Sequence, residues 1–357
     1  MGSEASSNFK SEVTVGSLFA GIGGFCRAYI EAGANVLWAN EIDHNACKTY
    51  RANFTHKLYE KSILDLSVAG DNLQPVDILT AGFPCQPFSK AGLKLGFADR
   101  RGQLFFEIIR LIKEFGAQKP KILFFENVSN FKTHDDGRTF AIVKEAMKEV
   151  GYWFSDANAR ILNTRIHSEI PQNRERIFMV AYSQDYFTEN HLLFPETLES
   201  EKVVSDYLFS NEKQSDSHYF KETSQYYPLF KEKIDNGTED GIYQLRRVYV
   251  RENKSNSCFT LTASMGMGGH NVPVIRDQWG IRRLTPKECA NLQGFDASWF
   301  ILPPDVADVQ LYKQIGNAVT VPLVKKIAET TLDDLLRAPS KIGGKESVVR
   351  VKQKIKF

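Results

Sequence analysis

The chain has 357 residues, of which 42% are apolar and 25% charged, with a formal net charge of +2. This length exceeds what one compact core usually encloses, so it predicts two domains or one large domain carrying a smaller insertion. No run approaches the roughly 20 apolar residues that span a bilayer, and the polar opening MGSEASSNFKSEV lacks the apolar centre of a secretory signal. These features predict a cytoplasmic protein with a disordered leader over residues 1–12 and no membrane partner.

Strand-like and helix-like segments alternate through the first half, the pattern of a parallel sheet covered on both faces. Residues 13–19 read as a buried strand. Gly21, Gly23 and Gly24 then form a turn into a helix over 25–32. A second strand, 35–40, ends at Glu41, and further strands are predicted at 77–81, 121–125, 159–163 and 176–181. Leu104, Ile108, Leu111, Ile112 and Phe115 recur at helical spacing, as do Phe140, Val143, Met147 and Val150, which marks two core faces.

After Tyr182 the alternation stops. From 183 to 240 there are 13 Asp/Glu against 5 Lys/Arg, and from 241 to 283 there are 7 Lys/Arg against 2 Asp/Glu. That reversal predicts a basic face turned toward phosphates and an acidic part turned away. Helical periodicity returns over 285–292 and, with Pro322 in a first turn, over 322–336. The expected division is a catalytic and cofactor-binding domain of 13–182 with 305–338, a β-containing target-recognition domain of 183–304, and a basic tail or edge strand of 339–357.

Four segments carry chemistry. A Gly-rich strand-to-helix turn with an acidic residue about twenty positions on is the arrangement of adenosine-cofactor sites, where glycines admit the ligand and Glu41 can hold ribose hydroxyls. The segment reads FAGIGGF rather than the spaced G-x-G-x-x-G of dinucleotide enzymes, which suits a cofactor without a pyrophosphate. Next, Gly82-Phe83-Pro84-Cys85-Gln86-Pro87-Phe88-Ser89 follows a strand, placing Cys85 at the same carboxyl edge between two prolines. A thiol there becomes a nucleophile where its neighbours favour the thiolate. Third, Glu126-Asn127-Val128 closes the strand KILFF, putting a carboxylate where it can face the Cys85 loop. Fourth, Gln172-Asn173-Arg174-Glu175-Arg176 offers fixed guanidinium groups before another strand. The remaining cysteines, Cys26, Cys47, Cys258 and Cys289, form no C-x-x-C pair, and no metal site is expected.

In this order the segments resemble the DNA cytosine-5 methyltransferase family of bacterial restriction-modification systems. FAGIGGF is similar to its cofactor motif, GFPCQPFS to its catalytic loop, ENV to its glutamate motif and QNRERIFMV to its arginine motif, while RRLTPKECANLQGF and QIGNAV resemble its last two blocks. The resemblance implies a Rossmann-like α/β methyltransferase sheet with a smaller, irregular recognition domain. It implies S-adenosylmethionine as cofactor, contacted by Phe19, Gly21, Gly23, Glu41, Ile42, Ser62, Ile63, Pro84, Leu104 and Asn317. Where the family has an acidic residue for the adenine amino group this chain has Ser62, so either Ser62 or, after a register shift, Asp65 makes that contact.

The implied substrate is a cytosine flipped out of double-stranded DNA, because attack perpendicular to the ring is impossible within a base stack. Cys85 would add to carbon 6, Glu126 would bind ring nitrogen 3 and the exocyclic amine, Arg176 would hold the carbonyl oxygen and Arg174 would support it. Ser89, Gln244, Arg247 and Thr260 would meet DNA. A companion restriction endonuclease acting on the same site without direct contact is expected, as is a monomeric enzyme. Three alternatives remain: an RNA methyltransferase of the same superfamily, since Cys258-Phe259-Thr260 superficially matches its transfer-RNA branch; an inactive DNA-binding relative; and a nicotinamide dehydrogenase, which leaves Pro84-Cys85 unexplained.

Overall fold

The computed structural model describes residues 12–84, 103–191, 194–238, 240–246, 249–253, 255–267 and 271–338. Cys85, Ser89, Arg247, the leader to residue 11 and the 339–357 tail lie outside the described residues.

The main sheet contains β1 (Thr14–Leu18), β2 (Asn35–Asn40), β3 (Lys57–Tyr59), β4 (Ile78–Ala81), β5 (Ile122–Val128), β6 (Tyr152–Trp153), β7 (Ala159–Asn163) and β8 (Glu175–Ser183). Its order is β3-β2-β1-β4-β5-β8-β6, with β7 also on β8. Side chains alternate across it with period two, and both faces are buried. Ile78, Ile122 and Phe124 enter one core, whereas Leu79, Leu123 and Phe125 enter the other. This double burial explains why β4 and β5 read as apolar runs.

The expectation of a parallel sheet holds for β3, β2, β1, β4 and β5. The rest departs from it. β8 is antiparallel to β5, β6 and β7, and for the β7–β8 pair the cause is a short connection in place of the crossover helix that a parallel pair requires. β5 also runs three residues past the predicted 121–125, so Glu126 and Asn127 lie within the strand, opposite Phe178 and Ile177.

Helices α1 (Gly24–Glu31) and α2 (His44–Asn53) follow β1 and β2, and α3 (Gln103–Glu114) and α4 (Arg138–Glu149) flank β5. A four-residue turn, α5 (Thr164–His167), links β7 to β8. The chain returns to the first domain through α8 (Asp308–Asn317) and α9 (Val321–Arg337), the latter tied to α1 by a buried 3.0 Å hydrogen bond between Tyr29 and Thr331.

A second sheet, fully antiparallel, has the order β10 (Tyr249–Asn253), β9 (Ile242–Arg246), β11 (Val274–Asp277), β12 (Gly280–Arg283). It shares a small apolar cluster with α6 (Tyr227–Asp235), built on Phe230, Ile234, Tyr243 and Val274. Its arginines revise the charge reading. Arg282 is fully buried and paired with Asp277 and with Glu288 of α7 (Pro286–Asn291), and Arg276 pairs with Asp235. Part of the positive count from 241 to 283 is therefore spent inside the protein. Among the described residues no helix is long and apolar enough to cross a membrane.

Candidate active site

Strand order reverses between β1 and β4, and at such a switch point an open sheet forms a crevice beyond its carboxyl edge. Here it encloses about 360 Å³. One end is built by the turn after β1 and the residue after β2. Phe19 and Gly21 have φ of 51° and 57°, so the backbone coils back on itself, and a Cβ on Gly21 would meet nothing within 4 Å. Glu41 fixes this turn: Oε2 accepts from Gly21 N at 2.7 Å, while Oε1 accepts from Ile42 N and Asp43 N, both at 2.8 Å. Oε2 keeps acceptor capacity for a hydroxyl. Beside it Ile42 stands 65% exposed, an apolar surface for a ring. An open turn, a fixed carboxylate and an apolar platform fit the adenosine part of S-adenosylmethionine.

The other end is built by β4, β5 and β8. Asn127 Nδ2 donates to the Phe83 carbonyl at 2.9 Å, anchoring the segment that runs through Pro84 to Cys85. Glu126 is 8% exposed, with Oε1 3.1 Å from Arg176 Nε. Its Oε2 lies 3.8 Å from where a Cβ on Gly82 would sit, so β5 and the Cys85 segment adjoin. Burial raises the Glu126 carboxyl above its ordinary range, while Arg176 and then Arg174 pull it back.

The two arginines sit in different surroundings. Arg174 is 2% exposed and donates to the carbonyls of Leu261 (2.6 Å), Gly316 (3.1 Å) and Ala318 (2.8 Å), knitting β8 to the segment after β10 and to the end of α8. Burial, and then the charge of Arg176, push its guanidinium well below its ordinary value.

Phe19, Gly21, Glu41, Ile42, Pro84, Glu126, Arg174, Arg176 and Asn317 all line this one cleft. Gly23, Ser62, Ile63 and Leu104 are not in its wall. Gly23 packs on the Phe54 ring, Ser62 caps the turn at Leu64, Ile63 is buried, and Leu104 packs on the core. Gln244 is also occupied: it is 3% exposed and donates to Asn271 O at 3.1 Å. Thr260 donates to Asn173 O at 2.6 Å. Sequence reasoning missed two residues. Asn127 was visible only as the middle of ENV, and Gln314 only as the first letter of QIGNAV.

The four described cysteines share one kind of environment. Cys26, Cys47, Cys258 and Cys289 are buried free thiols. Burial pushes Cys26 and Cys47 up to about 11 and raises Cys258 and Cys289 as well. None of the four is a thiolate at neutral pH.

Comparison with known proteins places this geometry. The sequence profile of C-5 cytosine-specific DNA methylase matches residues 13–333. The Type II methyltransferase M.Bsp6I of Bacillus sp. (strain RFL6) is 43% identical over 327 residues, covering 90% of this chain and 99% of the relative. The Type II methyltransferase M.HhaI of Haemophilus parahaemolyticus is 35% identical over 87% of this chain and 91% of its own length. In fold, the chain is similar to the S. pombe Dnmt2 methyltransferase, with a TM-score of 0.71 at 21% identity over 91% of this chain and 99% of that one. The chain belongs to the C-5 cytosine-specific DNA methylase family and is a DNA cytosine-5 methyltransferase of the restriction-modification type, with S-adenosylmethionine as methyl donor.

Proposed function

We propose that the enzyme methylates a cytosine flipped out of a specific double-stranded DNA sequence, with Cys85 as nucleophile. The observation that carries this reading is the 3.1 Å Glu126–Arg176 pair in the same cleft as Glu41, beside the anchored segment that leads into Cys85. Carbon 5 of cytosine is a weak nucleophile. Addition of the Cys85 thiolate to carbon 6 makes the ring an enamine, dividing one hard step into easier ones. Glu126 binds ring nitrogen 3 and the exocyclic amine, and a carboxyl raised by burial favours sharing a proton with that nitrogen. Arg176, already fixed on Glu126, presents its remaining donors to the base carbonyl. Arg174 acts behind it by holding the backbone, and touches no base.

S-adenosylmethionine supplies an electrophilic methyl group. Glu41 holds its ribose, Ile42 lies against its adenine, and Phe19, Gly21, Pro84 and Asn317 complete the wall. Ser89 and Arg247 are the remaining candidates for DNA contact. Gln244 and Thr260 would have to exchange their present partners, Asn271 and Asn173, to reach it. The biological partner is a companion endonuclease cutting the same sequence, and the working unit is a monomer.

Bisulfite sequencing of DNA from cells expressing the chain tests the reading. Protection of cytosine at one recurring sequence, lost in Cys85→Ser, is the expected result. Methylation confined to transfer RNA would favour the RNA branch instead.

A further inference from the structure

Outside the cleft, a cavity of about 340 Å³ lies between the end of β12 and the start of α8, walled by Ser217, His218, Gly266, Arg283, Asp308 and Tyr312. Among the described residues, Arg283 Nε and both ring nitrogens of His218 are buried without a hydrogen-bond partner. One of those ring nitrogens is a donor in either neutral tautomer. Buried donors are nearly always met, so two that converge on one cavity call for an acceptor. Arg283 is held by its face rather than its edge: its Cζ sits 4.6 Å from the Phe220 ring centroid, which leaves the edge of the N–H fork for a ligand.

Charge points the same way. Arg276 and Arg282 are paired with carboxylates, whereas Arg283 has no such ion pair among the described residues. The opposing charge in the wall is Asp308, whose Oδ2 lies 3.4 Å from His218 Nε2 and whose side chain is 55% exposed. Water screens an exposed carboxylate, while a partly buried guanidinium keeps more of its field, so the inside of the cavity favours an anion. The cavity also touches the segment after β10. Gly266, at φ 78°, is pressed against α8, where a Cβ would meet Tyr312 at 2.9 Å, and the next residue, Met267, is 63% exposed.

We propose that this cavity is a phosphate-binding site, in which Arg283 and His218 hold a backbone phosphodiester of bound DNA. A phosphodiester offers acceptors and one negative charge, which matches one unpaired guanidinium beside an imidazole N–H. Such a contact adds affinity and register without reading sequence. The choice of DNA as the source rests on the substrate reading above. Free phosphate has the same chemistry, and the experiment separates the two.

Two measurements on the full chain test the site. Thermal melts in sodium phosphate and sodium chloride of equal ionic strength need no DNA. Phosphate strengthens burial in any protein, so the readout is the difference between parent and Arg283→Met, which keeps an apolar stem on Phe220. The parent should gain more in melting temperature than the variant. Binding to methylatable and scrambled duplexes is then followed across a salt series. Loss of one phosphate contact should make the slope shallower by about 0.9, so the parent should lose roughly threefold more affinity than the variant between about 50 and 200 mM salt, alike on both duplexes. Arg283→Lys keeps the charge and should retain the parent slope, and Arg283→Gln serves if the Met variant folds poorly. A phosphate-specific gain with an unchanged slope would keep the site and reassign it to free phosphate. Neither effect, or a loss confined to the methylatable duplex, would overturn the proposal. A parent that binds no duplex would contradict the substrate reading and leave the melts to decide the site.

Discussion

Asn127 reaches from β5 to the Phe83 carbonyl at 2.9 Å and so ties the strand that carries Glu126 to the segment that delivers Cys85. Both partners are buried, and the bond fixes the two halves of the proposed base site relative to one another.

Asn127→Ala leaves the Phe83 carbonyl buried without this donor, which should lower unfolding stability by about 1–3 kcal/mol in urea titrations. The single-turnover methylation rate should fall further than the stability loss alone implies, since a misplaced nucleophile loses effective concentration. An unchanged rate in the folded variant would show that the Phe83 anchor does not position Cys85.

Glu126→Gln should slow the chemical step more than it weakens DNA binding, because the carboxyl acts mainly on charge that develops as the adduct forms. Single-turnover kinetics with bound DNA would check this; normal chemistry with weak affinity would reduce Glu126 to a substrate contact. The carboxyl also has a signature in stability. Its value in the folded state is raised, so the folded protein holds that proton more tightly than the unfolded chain. The stabilisation is present at low pH and is lost as pH rises from the ordinary glutamate range through the raised value. Unfolding measured across that window should show the parent losing stability relative to Glu126→Gln as pH increases.

Arg174→Lys and Arg176→Lys should part company. The acceptors are spread over two guanidinium nitrogens, Nη1 for Leu261 and Nη2 for Gly316 and Ala318, a fork that a single ammonium centre lacks, so Arg174→Lys should lose at least one charged hydrogen bond, about 1.5–3 kcal/mol. Arg176 has a less buried side chain and its main partner is Glu126, so Arg176→Lys should spare stability while slowing single-turnover chemistry. Thermal melts beside rate measurements would show it; equal effects from the two variants would contradict the division of roles.

The sequence made much of this legible, and physics explains where it stopped. Strands β2 and β7 fall at the predicted residues, and β1, β4 and β8 within two residues at each end, because their apolar runs are bounded by turns. The turn after β1 and its tie to Glu41 were legible because Gly21 and Gly23 take positive φ, which favours glycine, and because an acidic residue follows twenty positions after Gly21. The antiparallel placement of β8 was not readable, since strand direction depends on the connection and not on the strand's own pattern. The work of Arg174 was hidden for a similar reason: its acceptors are backbone carbonyls 87 to 144 residues away, which carry no side-chain signature. Nor could net charge reveal that Arg282 is buried with two carboxylates.

The most direct test of the account is to trap the enzyme on a duplex whose target cytosine carries fluorine at carbon 5. After methyl transfer there is no proton at that carbon to remove, so the protein should stay covalently bound to the DNA. Peptide mapping of that complex by mass spectrometry should locate the linkage on Cys85, with Cys85→Ser giving none. Linkage to any of the four buried cysteines, or methyl transfer to ordinary DNA by Cys85→Ser near the parent rate, would contradict the account.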